Sequence, residues 1–316
     1  MAGELGDHSQ ILIAPHGALH TLPFEALFIE EIASAEDYPG FSALPFLIHE
    51  GDVSYAPSGT FLRQSRRGRR GSREETQRGV LLVGDPARKP ESDGTVFFRA
   101  ATSRSPGPLP HARREIEGVK RINGGASVTL LTGAKATRGN LEEALGGRTF
   151  DVIHFATHGV FNAARPRFSG ILLAPDPAGV SGFLDLETIF GLQLDCELVV
   201  LSACSSALGE HIRGEGLVGL TRAFLYAGAR AVVASLWSVS GRATADLMVD
   251  FSRARESGLA SGPASALARA KRDRLAAAAG KSSAPARLRE AHPYFWSPFI
   301  CIAGAGNGSG GSHADR

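Results

Sequence analysis

Cysteine is scarce in this chain. Three residues in 316 (Cys196, Cys204 and Cys301) make an odd count with no CxxC spacing. That argues against a disulfide framework and against a zinc site, and for a reducing compartment. Net charge is also small: 34 Lys and Arg against 32 Asp and Glu leave +2, so no general attraction to nucleic acid is expected. Long apolar runs are missing, and none approaches the ~18 residues needed to span a bilayer. The first ten residues carry Glu4 and Asp7 and no apolar stretch, so no secretion signal is read there. No carboxylate-rich loop has calcium-binding spacing. The expectation is a cytoplasmic protein with no membrane contact, no cofactor and no metal.

What is present is core-forming material. The chain is 43% hydrophobic and 21% charged, enough for one large α/β domain or two smaller ones. Short apolar runs at 10–14, 80–84, 127–131, 151–159, 169–174, 197–204, 231–239 and 294–303 read as strands. Helical patterns at 110–122, 137–145, 185–191, 215–227, 244–255 and 263–279 alternate with them, which is the signature of an α/β fold. Residues 18–27 read as a turn and a short helix. Residues 63–78 (RQSRRGRRGSREETQR) hold no large apolar side chain and are expected as an exposed Arg-rich loop. A phosphate-contacting role is conceivable there, but no aromatics are interleaved and Glu74-Glu75 break the charge, so nucleic acid is disfavoured as a partner. Residues 87–109 form a polar, proline-bearing connector, and the Gly/Ser-rich end from 304 is expected to be disordered.

Two of the strands end on reactive groups. One runs through DVIHFATHG (151–159) and the other through ELVVLSAC (197–204). A free thiol is mostly protonated at neutral pH, with a pKa of about 8.5, so it needs a neighbouring base to act as a nucleophile. His158 and Cys204 at adjacent strand ends would supply that pair at the carboxyl edge of the sheet, where open α/β sheets bind ligands. His154 lies within its strand and reads as a packed or hydrogen-bonded residue. Cys196 and Cys301 read as inert buried thiols, and His16 and His20 as structural loop residues. The GxGxxG match at 214–219 stands about ten residues beyond Cys204 rather than directly after a strand, so it does not read as a dinucleotide site.

The blocks HFATHG (154–159), LSACSSALGE (201–210), GEGLVGLTRAFLYAGARAVVASLW (214–237) and PHGALHTLPFEAL (15–27) resemble the CHAT domain. This is a caspase-like peptidase family often found downstream of tetratricopeptide repeats in bacteria. The resemblance implies a caspase–hemoglobinase-like fold, mostly a parallel sheet flanked by helices on both faces, forming one domain over 1–306 with a tail at 307–316. It implies a cysteine endopeptidase with His158 and Cys204 as the dyad and an oxyanion hole from the backbone N–H groups of Gly159 and Cys204. A glycine after the histidine allows close approach of the backbone to a substrate.

In related metacaspases an acid two positions before the cysteine receives a basic side chain; here Ser202 occupies that place. Ser235, Trp237 and Ser238 resemble the segment that pairs with extended substrate, and Trp237 reads equally well as core. The family often has Asp after this strand, where this chain has Ser240-Gly241. The implied partners are a protein or peptide substrate and a regulatory protein, tetratricopeptide-type or other. Segments 63–78 and 87–109 are candidate places where self-cleavage or partner contact could switch the activity. The competing reading is a catalytically idle caspase-like scaffold that assembles partners, including contact with nucleic acid through the Arg-rich loop.

Overall fold

The computed structural model describes residues 9–31, 41–67, 79–87, 109–160, 168–177, 181–202, 215–237, 239, 241–279 and 290–303. In chain order the elements are β1 (Ser9–Ile13), β2 (Gly51–Tyr55), α1 (Gly59–Arg67), β3 (Gly79–Pro86), α2 (Pro110–Ile122), β4 (Ser127–Gly133), α3 (Arg138–Gly147), β5 (Val152–Ala156), β6 (His158–Val160), β7 (Gly170–Leu172), β8 (Phe183–Asp185), α4 (Leu186–Gly191), β9 (Cys196–Leu201), α5 (Glu215–Tyr226), β10 (Ala229–Ser235), α6 (Gly241–Glu256), α7 (Pro263–Ala279), α8 (Pro293–Trp296) and β11 (Phe299–Ala303). Short 3₁₀ turns occupy Gly17–Thr21, Phe24–Ala26, Phe41–Ala43 and Leu47–His49.

Eight strands form one sheet in the order β1-β2-β11-β10-β9-β5-β3-β4, and β6, β7 and β8 form a second, small one. In the large sheet only β10 and β11 are antiparallel; every other pairing is parallel. The sheet is therefore two parallel blocks of opposite sense joined at one seam. Successive residues of its central strands feed opposite cores. Leu81, Val83, Ile153, Phe155, Val199 and Leu201 pack with Leu141 of α3, Ile189 of α4 and Phe224 of α5. Val80, Leu82, Val152, Leu198 and Val200 pack with Ile116 of α2, Met248 and Phe251 of α6 and Leu267 of α7. Burial of both faces is why these strands read as unbroken apolar runs instead of alternating ones. The expected α/β architecture, a mostly parallel sheet with helices on both faces, is the one present.

Local chemistry sets the element ends. The Thr137 hydroxyl accepts from Asn140 N at 3.2 Å to start α3, and an Asp185 carboxylate oxygen accepts from Thr188 N at 2.8 Å to start α4. Gly228 closes α5 at φ +117°, where a Cβ would stand 1.7 Å from the Leu194 carbonyl oxygen, so only glycine fits.

Three expectations need correction. Residues 63–67 belong to α1 rather than to a loop: Ser58 Oγ accepts from Phe61 N at 3.1 Å, and Phe61 packs on the core. The rest of the Arg-rich segment lies outside the described residues, as do 88–108 of the connector and the tail from 304. The strand expected over 231–239 stops at Ser235, because the Ser235 hydroxyl turns back to donate to the Trp237 carbonyl at 2.6 Å. The strand expected over 294–303 begins only at Phe299. Before it, Pro293 at the first helical position and a His292 ring nitrogen accepting from Tyr294 N at 3.1 Å build α8. Among the described residues no helix is long and apolar enough to cross a membrane.

Candidate active site at the carboxyl edge of β5 and β9

β5 and β9 are neighbours, paired through Phe155 and Leu201. One further hydrogen bond, Ser202 N to the Phe155 carbonyl at 2.9 Å, carries the ladder past the end of both strands. Ser202 thus stands beside Ala156. His158 follows two residues after Ala156, and Cys204 two residues after Ser202. The described ends of β5 and β9, at Ala156 and Ser202, therefore lie at the same edge of the sheet. Cys204 itself lies outside the described residues.

His158 is not on β5 but opens β6 in the small sheet, where it pairs with Leu172, while Gly159 pairs with Ile171. Its side chain is buried. The buried Thr157 hydroxyl donates to the Leu172 carbonyl, which pins the turn between β5 and β6 and so fixes where His158 emerges. β7 then meets β8 so closely that a Cβ on Gly170 would lie 2.3 Å from the Leu184 carbonyl oxygen.

The other histidine of the motif has a different fate. His154 points to the α2 face, where its Nε2 lies 2.6 Å from Glu115 Oε1, and both residues are at most 3% exposed. It is a packed, hydrogen-bonded histidine, as read from its place in the strand.

Three further site candidates, Ser202, Ser235 and Trp237, gather at the same edge. The Ala234–Leu201 pairing puts Ser235 next to Ser202. Ser202 is buried, and its hydroxyl has no hydrogen-bond partner among the described residues. Trp237 sits just beyond the bend after Ser235; its indole N–H donates to the Tyr294 carbonyl at 3.2 Å, and its ring stacks on Tyr294 with centroids 6.4 Å apart. Ser238 and Ser240 lie outside the described residues. Thr157 and Tyr294 were not singled out from the sequence. Thr157 was visible inside HFATHG, whereas nothing local marked Tyr294.

The other candidates fall elsewhere. Cys196 and Cys301 are buried, and burial foremost, with Glu25 adding to it, pushes the Cys301 thiol up to about 12. His20 borders a small cleft with Pro15, Tyr55, Arg222 and Ile302, at the end of β11 away from Ser235. Burial, then Arg222 and His16, lower its pKa. Among the described residues no His, Cys, Asp and Glu side chains cluster in a way that could hold a metal ion.

A mostly parallel α/β sheet with helices on both faces, β5 and β9 ending at one edge, defines the fold class. The particular family follows from sequence: the CHAT domain model matches residues 2–304, and the chain belongs to that family. Membership agrees with the caspase–hemoglobinase-like fold class implied by the motifs. The chain is 25% identical over 275 residues to tetratricopeptide repeat protein 28 of Mus musculus, covering 75% of this chain and 10% of the relative. It is 23% identical over 335 residues to tetratricopeptide repeat protein 28 of Homo sapiens, covering 95% and 12%. It therefore spans about a tenth of the length of these relatives. Among solved structures, separase in the Saccharomyces cerevisiae separase–securin complex aligns at a TM-score of 0.49 and 13% identity, covering 94% of this chain and 15% of that one. The Arg-specific cysteine proteinase gingipain R aligns at 0.46 and 10%, covering 82% and 55%. Neither score reaches 0.5, and the assignment rests on the family match.

Proposed function

We propose that the chain is a caspase-like cysteine endopeptidase acting in the cytoplasm on protein or peptide substrates, with His158 and Cys204 as its dyad and 1–306 as one catalytic domain. The observation that supports this reading is the β5–β9 pairing with its extension at Ser202, which puts the ends of the two strands at one edge. In the reaction the Cys204 thiolate attacks the scissile carbonyl carbon, a C–S bond forms, and the carbonyl π electrons move onto oxygen. The N–H groups of Gly159 and Cys204 would hold that oxyanion. Collapse breaks the C–N bond as His158 gives its proton to the leaving amine. Water, deprotonated by His158, then cleaves the thioester and returns the thiol.

Extended substrate would lie along Ser235–Ser238 with Trp237 as a wall. Ser202, buried and uncharged, would face the side chain on the acyl side of the cut, so strict cleavage after Lys or Arg is disfavoured. A regulatory protein, or self-cleavage within 63–78 or 87–109, would restrain the activity. The test is incubation with peptidyl electrophiles that differ at the cleavage position, followed by mass mapping. Labelling confined to Cys204, lost in Cys204→Ala and weaker in His158→Ala, supports the peptidase. No labelling by any probe, with or without cell lysate, supports a catalytically idle scaffold.

A further inference from the structure

Far along the chain from the dyad, four elements meet at a buried ionic network. Glu25, in the 3₁₀ turn Phe24–Ala26, is 3% exposed, and Lys271, in the middle of α7, is 1% exposed. Lys271 Nζ lies 2.6 Å from Glu25 Oε1. The other Glu25 oxygen accepts from the Tyr55 hydroxyl, which itself accepts from Phe24 N at 2.8 Å. Lys271 also donates to the carbonyl of Phe299. Burying a charged pair like this is costly, and breaking it strands a charge; its location shows what it accomplishes.

Leu236 N donates to the Pro298 carbonyl at 2.7 Å. Antiparallel strands alternate the direction of their carbonyls, so the next one, Phe299, faces away from β10 and toward β2. There the ladder is open: β2 and β11 pair only at Tyr55–Ile302. A buried carbonyl without a partner is unfavourable, and Lys271 fills the gap. The segment it anchors, 293–299, supplies the contacts that hold the candidate substrate-binding bend. Tyr294 accepts the Trp237 indole N–H, Pro298 accepts from Leu236, and Phe299 pairs with Ser235.

We infer that Glu25 and Lys271 are positioning residues for the substrate-binding end of β10: through the Phe299 carbonyl their ion pair fixes the 293–299 segment, and that segment fixes Trp237. The inference rests on the peptidase reading only for where substrate lies. It also makes the 3₁₀ segment around Glu25 a structural input to the site, so a displacement of that segment is felt at Trp237.

The experiment uses the full chain labelled with 5-fluorotryptophan. Only Trp237 and Trp296 report, and Trp237→Phe assigns the lines by ¹⁹F NMR. Lys271→Met and the Glu25→Gln/Lys271→Met pair replace the ions with neutral side chains of similar size. Tyr55→Phe removes one hydrogen bond of the network and serves if the others do not fold. Asn123→Ala, which cuts the buried contacts of α2 with α6, is a control for lost stability alone. The Trp237 line should move or split in the network variants and stay in place in Asn123→Ala. The concentration of peptidyl electrophile giving half-maximal inactivation should rise about tenfold, with the maximal rate changed less than about threefold, because binding and not chemistry is lost. An unmoved Trp237 line in the folded network variants would overturn the inference. If Cys204 of the unaltered protein takes no label, the peptidase reading fails instead, and the NMR result still decides the positioning claim.

Discussion

The two histidines of HFATHG can be told apart by what each one supports. Glu115 and His154 are at most 3% exposed and 2.6 Å apart, bridging α2 and β5. Glu115→Ala leaves a buried imidazole nitrogen without a partner, which costs about 1–3 kcal/mol, rising toward about 3–5 kcal/mol if the pair is ionised. At about 2–4 °C per kcal/mol for a large domain, the melting temperature should fall by roughly 2–12 °C, and by up to about 20 °C if the pair is ionised. Well below that temperature the rate at which Cys204 is alkylated should stay within about twofold of the unaltered protein, since a group that acts only on stability leaves the chemistry of the folded state intact. His158→Ala should instead slow alkylation of the folded protein, whatever its buried side chain contributes to stability. Thermal unfolding by circular dichroism and alkylation followed by mass spectrometry read both. A folded Glu115→Ala or His154→Ala protein with an unchanged melting temperature and a lost Cys204 reaction would refute the assignment and make His154 the base.

Other consequences can be checked directly. Gly228→Ala must relieve a 1.7 Å approach to the Leu194 carbonyl at φ +117° and should destabilise by at least about 2 kcal/mol; a melting temperature within a degree of the unaltered protein would contradict the local geometry. Of the three thiols, Cys196 and Cys301 are buried and Cys301 is pushed up to about 12, so an aromatic disulfide reagent at pH 8 should titrate a single thiol in the folded protein and three after denaturation. Burial and the neighbouring Glu25 raise Tyr55 above its ordinary 10.0. Its contribution is therefore full below about pH 10 and lost above it, when only the unfolded chain ionises. Tyr55→Phe should flatten the alkaline limb of stability against pH, and an unchanged limb would argue against it. His49 is lowered from 6.5 by burial and then Arg272, with Glu50 opposing. Its contribution is present above about pH 6.5 and lost as pH falls further, so His49→Gln should soften the acid limb; an acid limb as steep as before would contradict this.

The sequence was informative where one local rule decided the outcome. Strand β3 and helices α2 and α7 follow from the apolar run at 80–84 and the helical patterns at 110–122 and 263–279. His154 was legible as structural because it lies inside its strand. What was hidden depends on contacts across the chain. Nothing near Ser235 announces that its hydroxyl will bend the strand, and the aromatic run at 294–296 looks like a strand until His292 and Pro293 start a helical turn. The placement of His158 on a separate small sheet is set by pairing with Leu172, a residue well removed from it in sequence. The partnership of Glu25 with Lys271 joins residues 246 positions apart, and no sequence pattern marks it.

The central claim is that His158 activates Cys204, and the most direct measurement is the pH dependence of Cys204 alkylation by iodoacetamide in the unaltered protein and in His158→Ala. An activated thiol should reach half its plateau rate well below the ordinary midpoint of about 8.5, and His158→Ala should return the midpoint toward that value. Superimposable curves centred near the ordinary midpoint in both proteins would contradict the dyad.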